Sequence, residues 1–280
     1  MSPRVPGSFA LLAVVALILA VPAPARQARQ PDEPDLNEIS MEVNALQALS
    51  GFNFTPEQLE KLKGLAQDAA AKPRKRDAAK VSKEYRDKLL ELHAALKQDN
   101  DVDKIDQLSD ELDELRQKEN PNLDDGVDLS DTARKRAPQA TRLLKLHQVT
   151  DYLAAIADEL FDPVERLIDS LQSVRSLTGD AWKQRRQEIT SDIVRLAAGI
   201  DAKKADKLSD QIDALLTRAH GMSKQEFKMK QANLEREARK LLGDVGPFDI
   251  LRNEVEYALA ELLSNPRLPA AVEARLKKHP

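Results

Sequence analysis

The sequence predicts an all-α protein: two repeated helical-hairpin units followed by C-terminal helices, together an elongated bundle. Three observations predict it. Apolar residues recur at helical spacing, as in Tyr85, Leu89, Leu92 and Leu96, and again in Ile189, Ile193, Leu196 and Ile200, the 4-3-4 pattern of a helix seam. Three helix starts carry capping residues in the right order. Strand signals are missing, with nine glycines in 280 residues and no sustained alternation of apolar and polar positions. Ten aromatic residues and a charged fraction of 32% point to thin helical packing, hence the elongated shape.

Residues 1–25 read as a signal peptide. Arg4 supplies the positive charge, Phe9 to Val21 an apolar run, and Ala23-Pro24-Ala25 the small residues that a signal peptidase reads. The run has 13 residues, short of the roughly 20 that a spanning helix needs. Cleavage after Ala25 therefore leaves no stable membrane span, and the expected location is exported, periplasmic or secreted. The chain has no cysteine, so disulfides, thiolate metal sites and thiol nucleophiles are excluded. Removing the signal takes Arg4 and no acid, leaving 42 basic against 47 acidic side chains and a formal charge of −5. This mild acidity argues against a nucleic-acid partner.

Residues 26–40, rich at first in Pro, Gln and charge, read as a flexible tether. Helical unit 1 follows over 41–119. Within it, Phe54-Thr55-Pro56-Glu57-Gln58 places Thr55 at N-cap, Pro56 at N1 and Gln58 at N3, a reciprocal capping box with Phe54 and Leu59 as its hydrophobic staple. An acidic linker spans 120–131, and helical unit 2 covers 132–220. There Phe161-Asp162-Pro163-Val164-Glu165 repeats the scheme, with Asp162 at N-cap and Glu165 at N3. Residues 221–280 hold C-terminal helices, expected to lie against the second unit. The first of them opens with Ser223 at N-cap, Glu226 at N3 and a Met222/Phe227 staple.

The duplication appears on aligning the two units. Lys104, Asp106, Leu108, Ser109, Asp110, Asp113 and Leu115 are identical to Lys204, Asp206, Leu208, Ser209, Asp210, Asp213 and Leu215, and matching elements precede both in the same order. Shared composition also produces such matches in helix-rich chains. Short polar connections, Lys97 to Lys104 in one unit and Asp201 to Lys204 in the other, predict antiparallel helix pairs. A single long helix with a phase slip is the competing arrangement.

Candidate sites are few. The run from Ala71 to Lys88 holds eight basic residues against three acids, and Asp99 to Asp131 thirteen acids against three bases. Opposite charge on two arms of one hairpin fixes their pairing; alternatively, the basic run is a surface for anionic lipid or an acidic client. Asp99, Asp101 and Asp103 alternate as in a calcium loop, yet Lys104 stands where such loops need glycine, so no metal is expected there. His93, His147, His220 and His279 share no ligand spacing and read as scattered surface residues. Trp182 reads as a packing anchor. No phosphate loop, nucleophile elbow or metalloprotease helix occurs, and no cofactor is expected. Met222, Phe227 and Met229, interleaved with Lys224, Lys228 and Lys230, form the candidate partner-binding surface, because flexible methionine-rich surfaces adapt to varied partners.

The segment Phe54-Thr55-Pro56-Glu57-Gln58-Leu59 resembles the Leu-Thr-x-x-Gln signature of the Spy/CpxP group of exported helical proteins, with Phe54 in place of Leu. The resemblance covers about six residues. It implies cradle-like helical dimers acting as periplasmic chaperones or envelope-stress components. The expected function is a non-enzymatic, protein-binding or chaperone-like factor, with a homodimer as a further expectation. A chaperone holding unfolded clients needs an exposed apolar patch larger than the roughly 300–600 Å² of ordinary monomers. The alternative is a structural coiled-coil module that dimerises through its 4-3-4 seams.

Overall fold

Twelve α-helices, joined by turns and two short 3-10 segments, make up the described residues, and no strand occurs among them. The computed structural model describes residues 35–72, 81–98, 102–119 and 128–277. The signal peptide, the first nine residues of the tether, the Asp99–Asp101 segment and most of the acidic linker lie outside the described residues, as does His279. No described helix is long and apolar enough to cross a membrane.

The first helix, α1 (Leu36–Gly51), starts inside the segment expected to be a tether, because the Asp35 carboxylate accepts from Asn37 N at 3.0 Å and caps it. Ile39, Val43, Leu46 and Leu49 then form one apolar stripe at 4-3-3 spacing, and all are buried. In α2 (Pro56–Ala66) the expected capping box is formed. Gln58 N donates to Thr55 Oγ1 at 3.3 Å, and Thr55 N donates to Gln58 Oε1 at 2.8 Å.

Helices α3 (Lys83–Gln98) and α4 (Val102–Glu119) form an antiparallel hairpin, as the pairing of their charges shows. Ser82 bonds Glu119, Lys88 Nζ meets Glu111 at 2.5 Å, and Lys104 Nζ meets Glu91 at 3.1 Å, so positions advance along one arm as they recede along the other. Tyr85, Leu89, Leu92 and Leu96 are buried on the inner face of α3. The exposed ion pairs choose the register; the apolar row supplies the stability. Lys88→Glu is therefore expected to lower the melting temperature slightly, and adding Glu111→Lys to recover most of the loss, in thermal melts at low salt.

Helix α5 (Asp131–Thr141), capped by Ser130, presents Ala133, Ala137 and Ala140 to the core. These small side chains let it lie closely against α11 (Pro247–Ser264). After α6 (Leu146–Ala155) comes α7 (Pro163–Ser173), where Asp162 Oδ1 accepts from Val164 N at 2.7 Å and Glu165 N at 3.4 Å. Helices α8 (Gly179–Ala198) and α9 (Ala202–His220) make the second antiparallel hairpin, joined through Gly199–Asp201, with Thr190 bonded to Asp213 at 2.6 Å and Arg186 to Thr217 at 3.3 Å. Ile189, Ile193 and Leu196 are buried, and Ile200 is half-buried. The chain ends with α10 (Lys224–Leu242), α11 and α12 (Leu268–Leu276).

Two cores result, and their membership differs from the units read in the sequence. The first takes α1 to α5, α11 and α12, including Leu46, Leu62, Leu89, Leu259 and Leu263. The second takes α7 to α10, including Leu167, Ile193, Ile212, Phe227 and Leu242. Three expectations are corrected. The tether ends by Asp35; α5 and α6 pack with the first core although they lie in 132–220; and only α10 of the C-terminal helices joins the second unit, since α11 and α12 return to the first. Matching elements also choose different partners. Helix α2 packs on α12 and α5, whereas its sequence counterpart α7 packs on α8, α9 and α10. Helix α11 touches both α5 and α8 and so links the cores.

Candidate functional site

The residues expected to bind partners are not brought together. Phe227 is buried in the second core, with the Arg175 guanidinium 4.5 Å from its ring centroid. Met222 is half-buried and its carbonyl accepts from Arg175, while Met229 is 77% exposed. Helical geometry explains this: residues two apart point to opposite sides, so Phe227 and Met229 cannot share a face. Met229, Val102, Leu146 and Phe248 are the large apolar side chains that stand exposed among the described residues, and they come from four different helices. The broad apolar patch expected of a holding chaperone is not formed by them.

The capping residues divide in their roles. Ser223 Oγ accepts from Glu226 N at 3.2 Å, as expected. The two glutamates at N3 turn chiefly to basic partners. Glu165 pairs with Arg239 at 3.0 Å, and Glu226 with Lys230 at 2.8 Å, a bond that holds its carboxyl below the usual range. Gln58 does more than cap. Its amide donates to Leu143 O at 2.5 Å and to Gln148 Oε1 at 2.8 Å. Gln148 Oε1 in turn accepts from Lys145 N at 2.9 Å, while its Nε2 donates to Phe52 O, Asn53 O and Gln58 Oε1. The starts of α2 and α6 are thus locked amide to amide in the interior, beneath the stacked rings of Phe52 and Tyr152 at 4.1 Å.

Two charged recesses stand out among the described residues. In the first, the buried carboxylate of Glu42 on α1 meets Lys97 Nζ at 2.9 Å, Arg267 Nη2 at 3.2 Å and His93 Nε2 at 3.3 Å, beside a 450 Å³ groove along α12. Burial raises the Glu42 pKa, but the hydrogen bonds from Lys97, Arg267 and His93 outweigh it, and the net shift is downward. His93 is therefore no scattered surface residue, and neither is His220, whose ring stacks on Trp182 at 4.2 Å. Sequence reasoning missed the Glu42 cluster because its members come from three distant helices.

The second recess is a crevice of about 780 Å³ between α8 and α9, open to solvent. Lys183, Arg186, Gln187, Ser191 and Val194 form its α8 wall, and Asp206, Ser209 and Asp213 its α9 wall; Arg134 of α5 and Tyr257 of α11 close one side. Beside it, bonds from other helices hold the end of α8 and the turn that follows: Asn253 Nδ2 to Leu196 O at 2.8 Å, Lys204 Nζ to Ala197 O at 2.7 Å and Arg134 Nη1 to Ile200 O at 3.1 Å. These satisfy carbonyls that a helix end otherwise leaves free. No group of three or more His, Cys, Asp or Glu positioned to hold a metal ion occurs among the described residues. Comparison with protein-family models, with curated proteins and with solved structures finds no match to this chain.

Opposed pKa shifts give stability a maximum in mild acid. Burial raises Asp192 over the opposing pull of Arg195, Arg166 and Arg185, and burial also raises Glu256. These groups hold a proton more tightly folded than unfolded, so stability grows as pH falls through their raised folded values toward the ordinary carboxylate range. Glu42 acts oppositely. Its contribution is complete above the ordinary carboxylate range and is lost as pH falls through its lowered folded value. Melting temperatures between about pH 3 and 8 are expected to trace this arch, with Asp192→Asn flattening the neutral limb and Glu42→Gln the acid limb.

Proposed function

We propose that this chain is an exported, non-enzymatic helical protein that acts by binding other proteins, as a chaperone-like, envelope-stress factor. The observation that carries the reading is the crevice between α8 and α9, a solvent-open recess with walls of opposite charge on two packed helices, suited to a polypeptide surface of mixed charge. The resemblance of Phe54–Leu59 to the Leu-Thr-x-x-Gln signature supports it, although in this chain Thr55 and Gln58 are spent on capping and on the bond to Gln148. The apolar leader of residues 1–25 supports export. Because the exposed apolar side chains come from separate helices, capture proceeds by groove recognition, without a broad greasy surface.

Scaffolding through the 4-3-4 seams is the weaker alternative, since Tyr85, Leu89, Leu92 and Leu96, with Ile189, Ile193 and Leu196, are already buried within one chain. The test is light scattering from a thermally denaturing client, combined with sedimentation. Slower client aggregation with a co-sedimenting complex is expected. A client that precipitates at its unassisted rate over an excess of the protein overturns the reading.

A further inference from the structure

We propose that the recess between α7 and α10 is a docking groove for a polypeptide segment of a partner protein, one that offers a large apolar side chain flanked by arginine or lysine. The proposal rests on the protein-binding reading above and adds to it the chemistry of the segment that is held.

The groove exists because one position of α10 breaks its helical pattern. Phe227, Leu234 and Ala238 form the buried stripe of that helix, and a 4-3-4 spacing puts residue 231 between the first two. An apolar side chain there would close the contact with α7. The residue is instead Gln231, which is exposed and donates to Glu235 Oε1 of its own helix at 2.9 Å. The space left is about 440 Å³, within the roughly 300–1,000 Å³ of ligand pockets. Its apolar lining is Ile168 and Leu171 of α7 and Phe227 of α10, and Ile168 is only half-buried.

The charge lining this groove is of one sign. Asp169 of α7 and Glu235 of α10 line its two walls, and no basic side chain does so among the described residues. Neither acid is neutralised within the chain. Asp169 makes no hydrogen bond or ion pair among the described residues, and Glu235 takes only the neutral amide of Gln231. The Arg175 guanidinium that meets the Phe227 ring is tied to Met222 O at 3.4 Å and is not part of the lining. Two carboxylates without a cation, set on facing helices around an apolar lining, select a segment whose own cations flank an apolar residue.

The capped peptide Arg-Ser-Leu-Ser-Arg has that form. In an extended chain side chains two apart share a face, and its arginines stand about 13 Å apart, within reach of acids on helices packed about 8–10 Å from each other. Calorimetric titration into the full-length protein is expected to give a dissociation constant on the order of 100 μM. Binding is expected to weaken several-fold between about 0.05 and 0.5 M salt. Gln231→Phe, which fills the recess and covers Ile168, is expected to raise the melting temperature and to weaken binding at least about tenfold. Asp169→Asn with Glu235→Gln is expected to weaken it about tenfold at the wild-type melting temperature, since neither acid has an ion pair to lose; this variant keeps the test open if the first fails to fold. No binding at millimolar peptide, or undiminished affinity in both variants, overturns the proposal. Equal affinity for Arg-Ser-Gly-Ser-Arg or for Glu-Ser-Leu-Ser-Glu also overturns it, by showing that the apolar residue or the cations do not matter. Self-association abolished by Gln231→Phe does the same, by making the occupant a second copy. Clients protected equally by wild type and Gln231→Phe sink the groove alone; clients ignored by the wild type sink the protein-binding reading whatever the peptide does.

Discussion

Gln148→Ala is expected to lower the unfolding free energy by about 3 kcal/mol, because it strands several buried groups at once. Gln148 is 2% exposed, and its amide meets Phe52 O, Asn53 O, Lys145 N and both ends of the Gln58 amide. Water does not replace a side chain at that depth, and each donor or acceptor left alone costs about 1–3 kcal/mol. Two further variants separate lost bonding from lost volume. Gln148→Glu keeps the oxygen that accepts from Lys145 N but aims a negative charge at two carbonyl oxygens. It is expected to be destabilised at neutral pH and partly rescued in acid, where the carboxyl becomes a donor. A double-mutant cycle of Gln58→Leu and Gln148→Leu is expected to show a coupling of about 0.5–3 kcal/mol. Urea unfolding followed by circular dichroism reads all of these, and additive losses would show that the two amides do not act together.

Gly199→Ala is expected to cost about 2–4 kcal/mol, from backbone strain joined to a clash. Gly199 has φ +54° and ψ −123°, a conformation closed to L side chains, and an added Cβ would stand 2.9 Å from Asn253. Relief requires Asn253 to release Leu196 O, so the end of α8 loosens from α11 in the same step. Gly64 gives the contrast. It lies on the exposed face of α2 and a Cβ there meets nothing within 4 Å, so Gly64→Ala is expected to stabilise by about 0.5–1 kcal/mol. Urea midpoints of the two variants should move in opposite directions; a silent Gly199→Ala would show that the α8–α9 turn tolerates rearrangement.

What was legible in the sequence was local. The rows Tyr85 to Leu96 and Ile189 to Leu196 could be read as buried because one helix face repeats on its own, and Thr55, Asp162 and Ser223 as caps because a hydroxyl or carboxylate must precede the turn it serves. The start of α6 escaped notice because its N-cap is Lys145, which offers no capping acceptor, and Gln148 does the bonding alone. The placement of α11 and α12 was illegible for another reason. An apolar stripe demands a partner without naming one, and the alanine face of α5 that receives α11 lies over a hundred residues upstream. The site fared worst: Met222, Phe227 and Met229 attracted attention by residue type, while the crevice depends on which helix was left uncovered.

The return of α11 and α12 to the first core bears on the order in which the chain comes into being. Val255, Leu259, Leu263, Leu268 and Val272 fill space among helices made roughly one to two hundred residues earlier. The N-terminal half cannot close over its own interior until α11 and α12 have left the ribosome. A message cut short after Leu242 lacks both helices and yields no finished first core.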